Sequence, residues 1–142
     1  MTPNNIAKLE LALRSYIENS KEIIIPISCF TDNKYGILEN LVYYLKTELK
    51  LTNSEIASLL NRDSRTIWSV INKTKDKKNS LKTKQINIYV PLNIFQNRHF
   101  SPLEALTHYM NKELHYSVKS IAEILNKPYQ SIWITLRNAK KK

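Results

Sequence analysis

The sequence predicts a mainly α-helical fold: two consecutive three-helix units, each preceded by a short extended segment, with one further helix in front. Three observations predict it. The chain repeats itself. Each copy carries apolar residues at helical spacing behind recognisable capping residues. Each copy also follows a β-branched run interrupted by proline.

The repeat comes first because it organises the rest. Displaced by 65 positions, residues 26–77 fall on residues 91–142 without a gap. Pro26 meets Pro91, Phe30 meets Phe95, and Leu38-Glu39 meets Leu103-Glu104. Leu41, Tyr44 and Glu48-Leu49 meet Leu106, Tyr109 and Glu113-Leu114. Ile56-Ala57, Leu60-Asn61 and Ile67-Trp68 meet Ile121-Ala122, Leu125-Asn126 and Ile132-Trp133. The matches are apolar positions plus a few special ones, as expected of two copies of one structural unit. The chain therefore divides into an N-terminal helix and lead-in (1–25), a first unit (26–77), a basic linker with a lead-in strand (78–90) and a second unit (91–142).

The lead-ins, Glu22–Phe30 and Gln85–Phe95, read as short edge strands, where proline is tolerated; they are candidates to pair with each other. Ser101-Pro102-Leu103-Glu104 opens the first helix of the second copy: serine caps, proline suits the first turn, and Glu104 reaches back. Leu103, Leu106, Met110 and Leu114 follow as a stripe, matched by Leu38, Leu41, Leu45 and Leu49. Thr52-Asn53-Ser54-Glu55 is a capping box for a second helix, with Ile56, Leu59 and Leu60 inward. Ser117 starts its counterpart, with Ile121, Ile124 and Leu125 inward. Tight turns at Asn61-Arg62-Asp63 and Asn126-Lys127-Pro128 lead into third helices over Ser64–Lys75 and Tyr129–Lys140. In front, Thr2-Pro3 starts a helix whose Ile6, Leu9, Leu13, Tyr16 and Ile17 share a face. That face packs on the chain's own core or joins two copies into a homo-oligomer.

The second and third helices carry the functional signal. A helix-turn-helix needs a small residue where two helices cross, supplied by Ala57 and Ala122. It needs a residue tolerant of left-handed backbone at the turn, supplied by Asn61 and Asn126. It needs apolar locks on both sides: Ile56, Leu60, Ile67 and Val70, then Ile121, Leu125, Ile132 and Thr135. The run Ile-Ala-x-x-Leu-Asn-Arg-Asp-x-Arg-Thr-Ile, residues 56–67, resembles the helix-turn-helix of insertion-sequence transposases and of sigma factor region 4. The resemblance covers about twenty residues per copy. It departs from the family in using asparagine rather than glycine at the turn. In the second copy, Lys127-Pro128-Tyr129-Gln130 also replaces Arg62-Asp63-Ser64-Arg65.

The resemblance implies double-stranded DNA as partner, with the third helix in the major groove. Carried over position by position, Ser64, Arg65, Thr66, Ser69 and Lys73 face bases in the first copy, and Tyr129, Gln130, Ser131, Ile134 and Asn138 in the second. Arginine forks onto guanine and glutamine pairs with adenine, so Arg65 and Gln130 are the leading candidates for base readout. Arg62, Lys127, Arg137, Lys140, Lys141 and Lys142 are candidates for phosphates, which position without reading sequence. Trp68 and Trp133 are expected to pack the third helix on the first; the alternative is an exposed indole against DNA.

Composition agrees with a polyanionic partner. Lys and Arg number 22 against 12 Asp and Glu, a net charge of +10 in 142 residues. Residues 1–25 balance to zero, whereas the linker carries +3 and the second unit +5. A 42% hydrophobic content supports packed cores. Cys29 is the only cysteine, which excludes an internal disulfide; with no signal-peptide pattern and no long apolar run, a cytoplasmic, nucleoid-associated location is expected.

Catalysis finds little footing, so no enzyme activity, metal or cofactor is expected. His99, His108 and His115 lack metal-ligand spacing, Gly36 is the only glycine, and the acidic residues are scattered. Three binding functions remain. A sequence-specific transcription regulator would dock two units about 34 Å apart, with linkage raising the second unit's effective concentration to roughly millimolar. The alternatives are an architectural, chromatin-like DNA-binding protein and a protein-interaction adaptor.

Overall fold

The computed structural model describes residues 23–77 and 86–142, together with Lys8. Most of the predicted N-terminal helix (1–7 and 9–22) and residues 78–85 of the predicted linker lie outside them. The fold is mainly α. Strand β1 (Ile24–Pro26) leads to α1 (Ile37–Thr47), α2 (Asn53–Leu59) and α3 (Ser64–Lys73). Strand β2 (Tyr89–Pro91) leads to α4 (Pro102–Lys112), α5 (Val118–Leu125) and α6 (Tyr129–Lys140).

The two strands pair with each other, antiparallel. Pro26 and Pro91 have no N–H to give, so the residue after each proline supplies the next bond. The Ile27 N–H donates to Ile88 O and the Leu92 N–H to Ile23 O, both at 2.8 Å. The lead-ins do not stay extended to Phe30 and Phe95 as expected. They tighten into 3-10 turns at Ile27–Phe30 and Leu92–Gln96. The reason is spacing: in a strand, residues three apart point to opposite faces, whereas in a 3-10 turn they eclipse. The tighter turn lets Ile27 and Phe30, and likewise Leu92 and Phe95, enter the core together.

The helix starts follow the sequence. The Glu55 N–H donates to Thr52 Oγ1 at 3.2 Å, and Glu55 accepts the Thr52 N–H in return at 3.2 Å. Ser101 and Glu104 form the same reciprocal pair, at 3.2 and 2.8 Å. The stops after α2 and α5 also follow, whereas α3 ends at Lys73 rather than Lys75, where Thr74 closes it, and Leu49, expected in the inward stripe, lies past the end of α1 and is 39% exposed. Asn61 and Asn126 adopt left-handed backbone, at φ 54° and 56°. The following N–H, of Arg62 or Lys127, reaches back to Ala57 O or Ala122 O at 2.9 Å. That is the helix-ending pattern in which a left-handed residue lets two N–H groups cap orphan carbonyls. A second matched pair was not foreseen: Lys50 and His115, after α1 and α4, are also left-handed (φ 53° and 61°).

One core serves both units. Ile25, Ile27, Leu41, Leu45, Ile56, Leu60 and Ile67 are sealed from solvent in the same cluster as Val90, Leu92, Leu106, Met110, Ile121, Leu125 and Ile132. Each fully buried aliphatic of this size contributes about 1.5–3 kcal/mol relative to leaving it exposed. The two segments that the repeat defines are therefore packed together.

The packing is symmetric. In the strand pair Ile25 sits opposite Val90, its own counterpart in the repeat. Phe30 meets its counterpart Phe95 with ring centroids 5.6 Å apart. Helix α1 packs on its counterpart α4. The loop ahead of each unit's first helix reaches the other unit's turn: Asn33 donates to Asn126 O, and Gln96 Nε2 to Leu59 O at 2.9 Å. An antiparallel strand pair has a local two-fold axis between its strands. That axis exchanges repeat counterparts at the strand pair. The two repeats are packed against each other within one chain.

Candidate nucleic-acid interface

Helices α3 and α6 each turn one face inward. Ile67 and Val70 anchor α3, with Thr74 buried just past its end; Ile132, Leu136 and Ala139 anchor α6. The rest of each helix is an outward arc. All ten residues expected to face bases lie on these arcs and are exposed: Ser64, Arg65, Thr66, Ser69 and Lys73 on α3, and Tyr129, Gln130, Ser131, Ile134 and Asn138 on α6. Their positions are set locally. Asp63 accepts the Arg65 N–H at 2.7 Å and fixes the first turn of α3. Pro128 precedes α6 and offers no side-chain cap. Thr135, expected as a lock, is half-buried and donates to Ser131 O at 2.7 Å.

The tryptophans depart from expectation. Trp68 is 62% exposed and Trp133 46%, so neither packs the third helix onto the first. Each follows the buried isoleucine of its helix, and one residue turns the helix by about 100°. That step carries the indole off the inward face. Arg137, one turn on from Trp133, lies over its ring at 5.4 Å.

The basic residues fall into two groups. Arg137, Lys140 and Lys141 are exposed, and Arg62 and Lys127 are half-buried at the two turns. Arg62 is notable. Burial, and then repulsion from Arg98 of the other unit, lower its guanidinium pKa from the ordinary value. Its Nε is buried without a hydrogen-bond partner, and among the described residues no carboxylate pairs with it. Sequence reading missed Arg98, because only the packing of the units brings it to the Arg62 turn.

Lys142, the sixth phosphate candidate, is exposed and already paired within the chain. Its ammonium lies 2.8 Å from Glu104 Oε1 and 3.2 Å from His99 O, so it ties the end of α6 to the start of α4. Its repeat counterpart, Lys77, lies 2.9 Å from Asp32 and over the rings of Tyr35 and Tyr43 at 4.8 and 5.2 Å. Lys142 holds the Glu104 carboxyl below the usual range, with the Ser101 N–H helping. For Asp32, burial pushes the pKa up, but the Lys77 ammonium and the Lys34 N–H outweigh it and the net shift is downward. The signal for these anchors was present in the repeat: both units end on a lysine at the same position.

Burial pushes the Cys29 thiol pKa well above its ordinary value, with only a partial offset from Lys77, which keeps it protonated and a poor nucleophile. Among the described residues, no His, Cys, Asp and Glu group could hold a metal ion, and no helix is long and apolar enough to cross a membrane. A scan against protein-family models, a search of curated proteins and a search of solved structures each found no match.

Proposed function

We propose that this chain binds double-stranded DNA through two helix-turn-helix units and acts as a sequence-specific transcriptional regulator. One observation carries the reading. Two counterpart helices, each held by its inner face and by an asparagine turn, present their candidate base-reading residues to solvent at equivalent positions. Arg65 forks onto a guanine edge and Gln130 onto an adenine edge. Ile134 supplies apolar contact for a thymine methyl. Arg62, Lys127, Arg137, Lys140 and Lys141 take phosphates. The half-buried guanidinium of Arg62 beside Arg98 favours this role, since a phosphate would supply the negative charge that the described residues do not. The net charge of +10 adds long-range attraction.

The test is selection from a random duplex pool, followed by salt titration on the winning sequence and on its scramble. A winner bound about 10³-fold or more tighter than the scramble is the expected result. Equal, steeply salt-dependent binding to both would make the protein architectural instead. A second reading, a protein-interaction adaptor, is favoured by the apolar character of α6, where Tyr129, Trp133 and Ile134 all stand exposed. Absence of DNA binding would shift the assignment to that reading.

A further inference from the structure

We infer that the DNA site is an inverted pair of unlike half-sites, set by the approximate two-fold axis between the units. The inference rests on the DNA-binding reading and adds the orientation and composition of the target.

The axis follows from contacts between repeat counterparts: Ile25 opposite Val90, Phe30 against Phe95, and matched bonds from Ile27 and Leu92. The loop-to-turn bonds Asn33 to Asn126 and Gln96 to Leu59 extend the exchange to the turns that lead into α3 and α6. Helices related this way meet one duplex in opposite senses. A two-fold axis perpendicular to the duplex maps one strand's half-site onto the other strand's, which is why two-fold proteins bind inverted repeats. A direct repeat would need units related by translation along the groove. The strand pair, the tilted phenylalanine contact and the α1–α4 contact leave no such freedom.

The symmetry stops at the outward arcs. Beside the exposed tryptophan that both helices share (Trp68 and Trp133), helix α3 presents Ser64, Arg65, Thr66, Ser69 and Lys73, all polar. Helix α6 presents Tyr129, Gln130, Ser131, Ile134 and Asn138, with neutral amides and apolar surface. The half-site under α3 contains guanine opposite Arg65. The half-site under α6 is richer in adenine and thymine.

The test equalises the arcs. Tyr129→Ser, Gln130→Arg, Ser131→Thr, Ile134→Ser and Asn138→Lys give α6 the outward residues of α3. The reciprocal variant carries Ser64→Tyr, Arg65→Gln, Thr66→Ser, Ser69→Ile and Lys73→Asn. Every changed residue is exposed, and a thermal melt by circular dichroism verifies folding; if one variant fails to fold, the other carries the test. Each variant is put through the same random-duplex selection as the parent chain. The expected winner is a palindrome, made of one half-site twice in inverted orientation, with a different palindrome for each variant. Re-synthesising that duplex with one half-site reversed should weaken binding at least about tenfold, since reversal mismatches several base pairs. A direct repeat, a lone half-site, or equal binding to both orientations overturns the inference while leaving DNA binding intact. A parent chain that selects no sequence overturns the sequence-specific reading itself, and the inference with it.

Discussion

In the first unit, α3 begins behind Asp63, whose carboxylate accepts the Arg65 N–H at 2.7 Å; in the second, α6 begins behind Pro128, with no side-chain acceptor at all. The first unit ends on Lys77, bound to Asp32 in the loop before α1. The second ends on Lys142, bound to Glu104 inside α4. At Asp32's position the second unit has Asn97, and Glu39, at Glu104's position, accepts the Gly36 N–H at 3.2 Å. Against this drift, Leu41 and Leu106, Ile56 and Ile121, Leu60 and Leu125, and Ile67 and Ile132 are all sealed. The contrast teaches what each kind of contact demands. A close-packed interior fixes volume at every position. A helix start or an ion pair only requires that some group supply the charge or acceptor, so its partner can move along the chain.

The largest expected effect tests whether the two units are one body. Phe30→Ala opens the core at the axis and should cost about 3–5 kcal/mol. Denaturant unfolding should stay a single transition, with amide exchange accelerated in α4–α6 as well as α1–α3. Two separate transitions, with only the first unit weakened, would break the packed pair into independent halves.

The next prediction sharpens the difference between the arcs. Arg65→Ala should weaken binding to the selected duplex by about 1–3 kcal/mol and relax one half-site only. Gln130→Ala should relax the other. Equal loss on every sequence would move Arg65 from base reading to phosphate contact.

Removing the cap that one unit has and the other lacks comes third. Asp63→Ala should destabilise by about 1 kcal/mol. Pro128→Ala, which deletes no acceptor, should cost less in the same urea titration; the reverse order would remove capping as the distinction between the two helix starts.

The smallest effect concerns acid. Asp32 and Glu104 have folded pKa values below their unfolded values of about 4. Their stabilisation is therefore present above that value and lost as the pH falls through the folded values. Lys77→Met and Lys142→Met should each flatten the fall of the urea midpoint between about pH 5 and pH 2. Lys77→Met should do more, since the Lys77 side chain is 9% exposed and the Lys142 side chain 35%. An unchanged acid limb in both variants would show that other carboxylates govern it.

Much of this was legible in the residues. The capping pairs at Thr52–Glu55 and Ser101–Glu104 were readable because donor and acceptor lie three residues apart. The outward placement of Arg65 and Gln130 was readable from the helix-turn-helix resemblance carried over position by position. The tryptophans were not. A large apolar residue one step from a buried isoleucine sits where the inward face ends, and only the packed neighbours decide which side it joins. Arg98 beside Arg62 was not readable either, since it depends on how the units meet.

The sequence by itself therefore determined the repeat, the order of the helices, the capped starts, the asparagine stops and the centre of each apolar stripe, but not the stops at Lys50 and His115, the end of α3 at Lys73 or the exposure of Leu49. Capping, left-handed turns and periodicity act over a few residues, so composition along the chain specifies them. Only the tertiary structure decided that β1 pairs with β2 in the register placing Ile25 opposite Val90. It alone decided that the two repeats share a core. Those outcomes rest on contacts between residues far apart in the chain, such as Asn33 and Asn126, 93 positions distant. Two short β-branched runs can pair in several registers, and the register chosen is the one in which both units bury their apolar faces against each other.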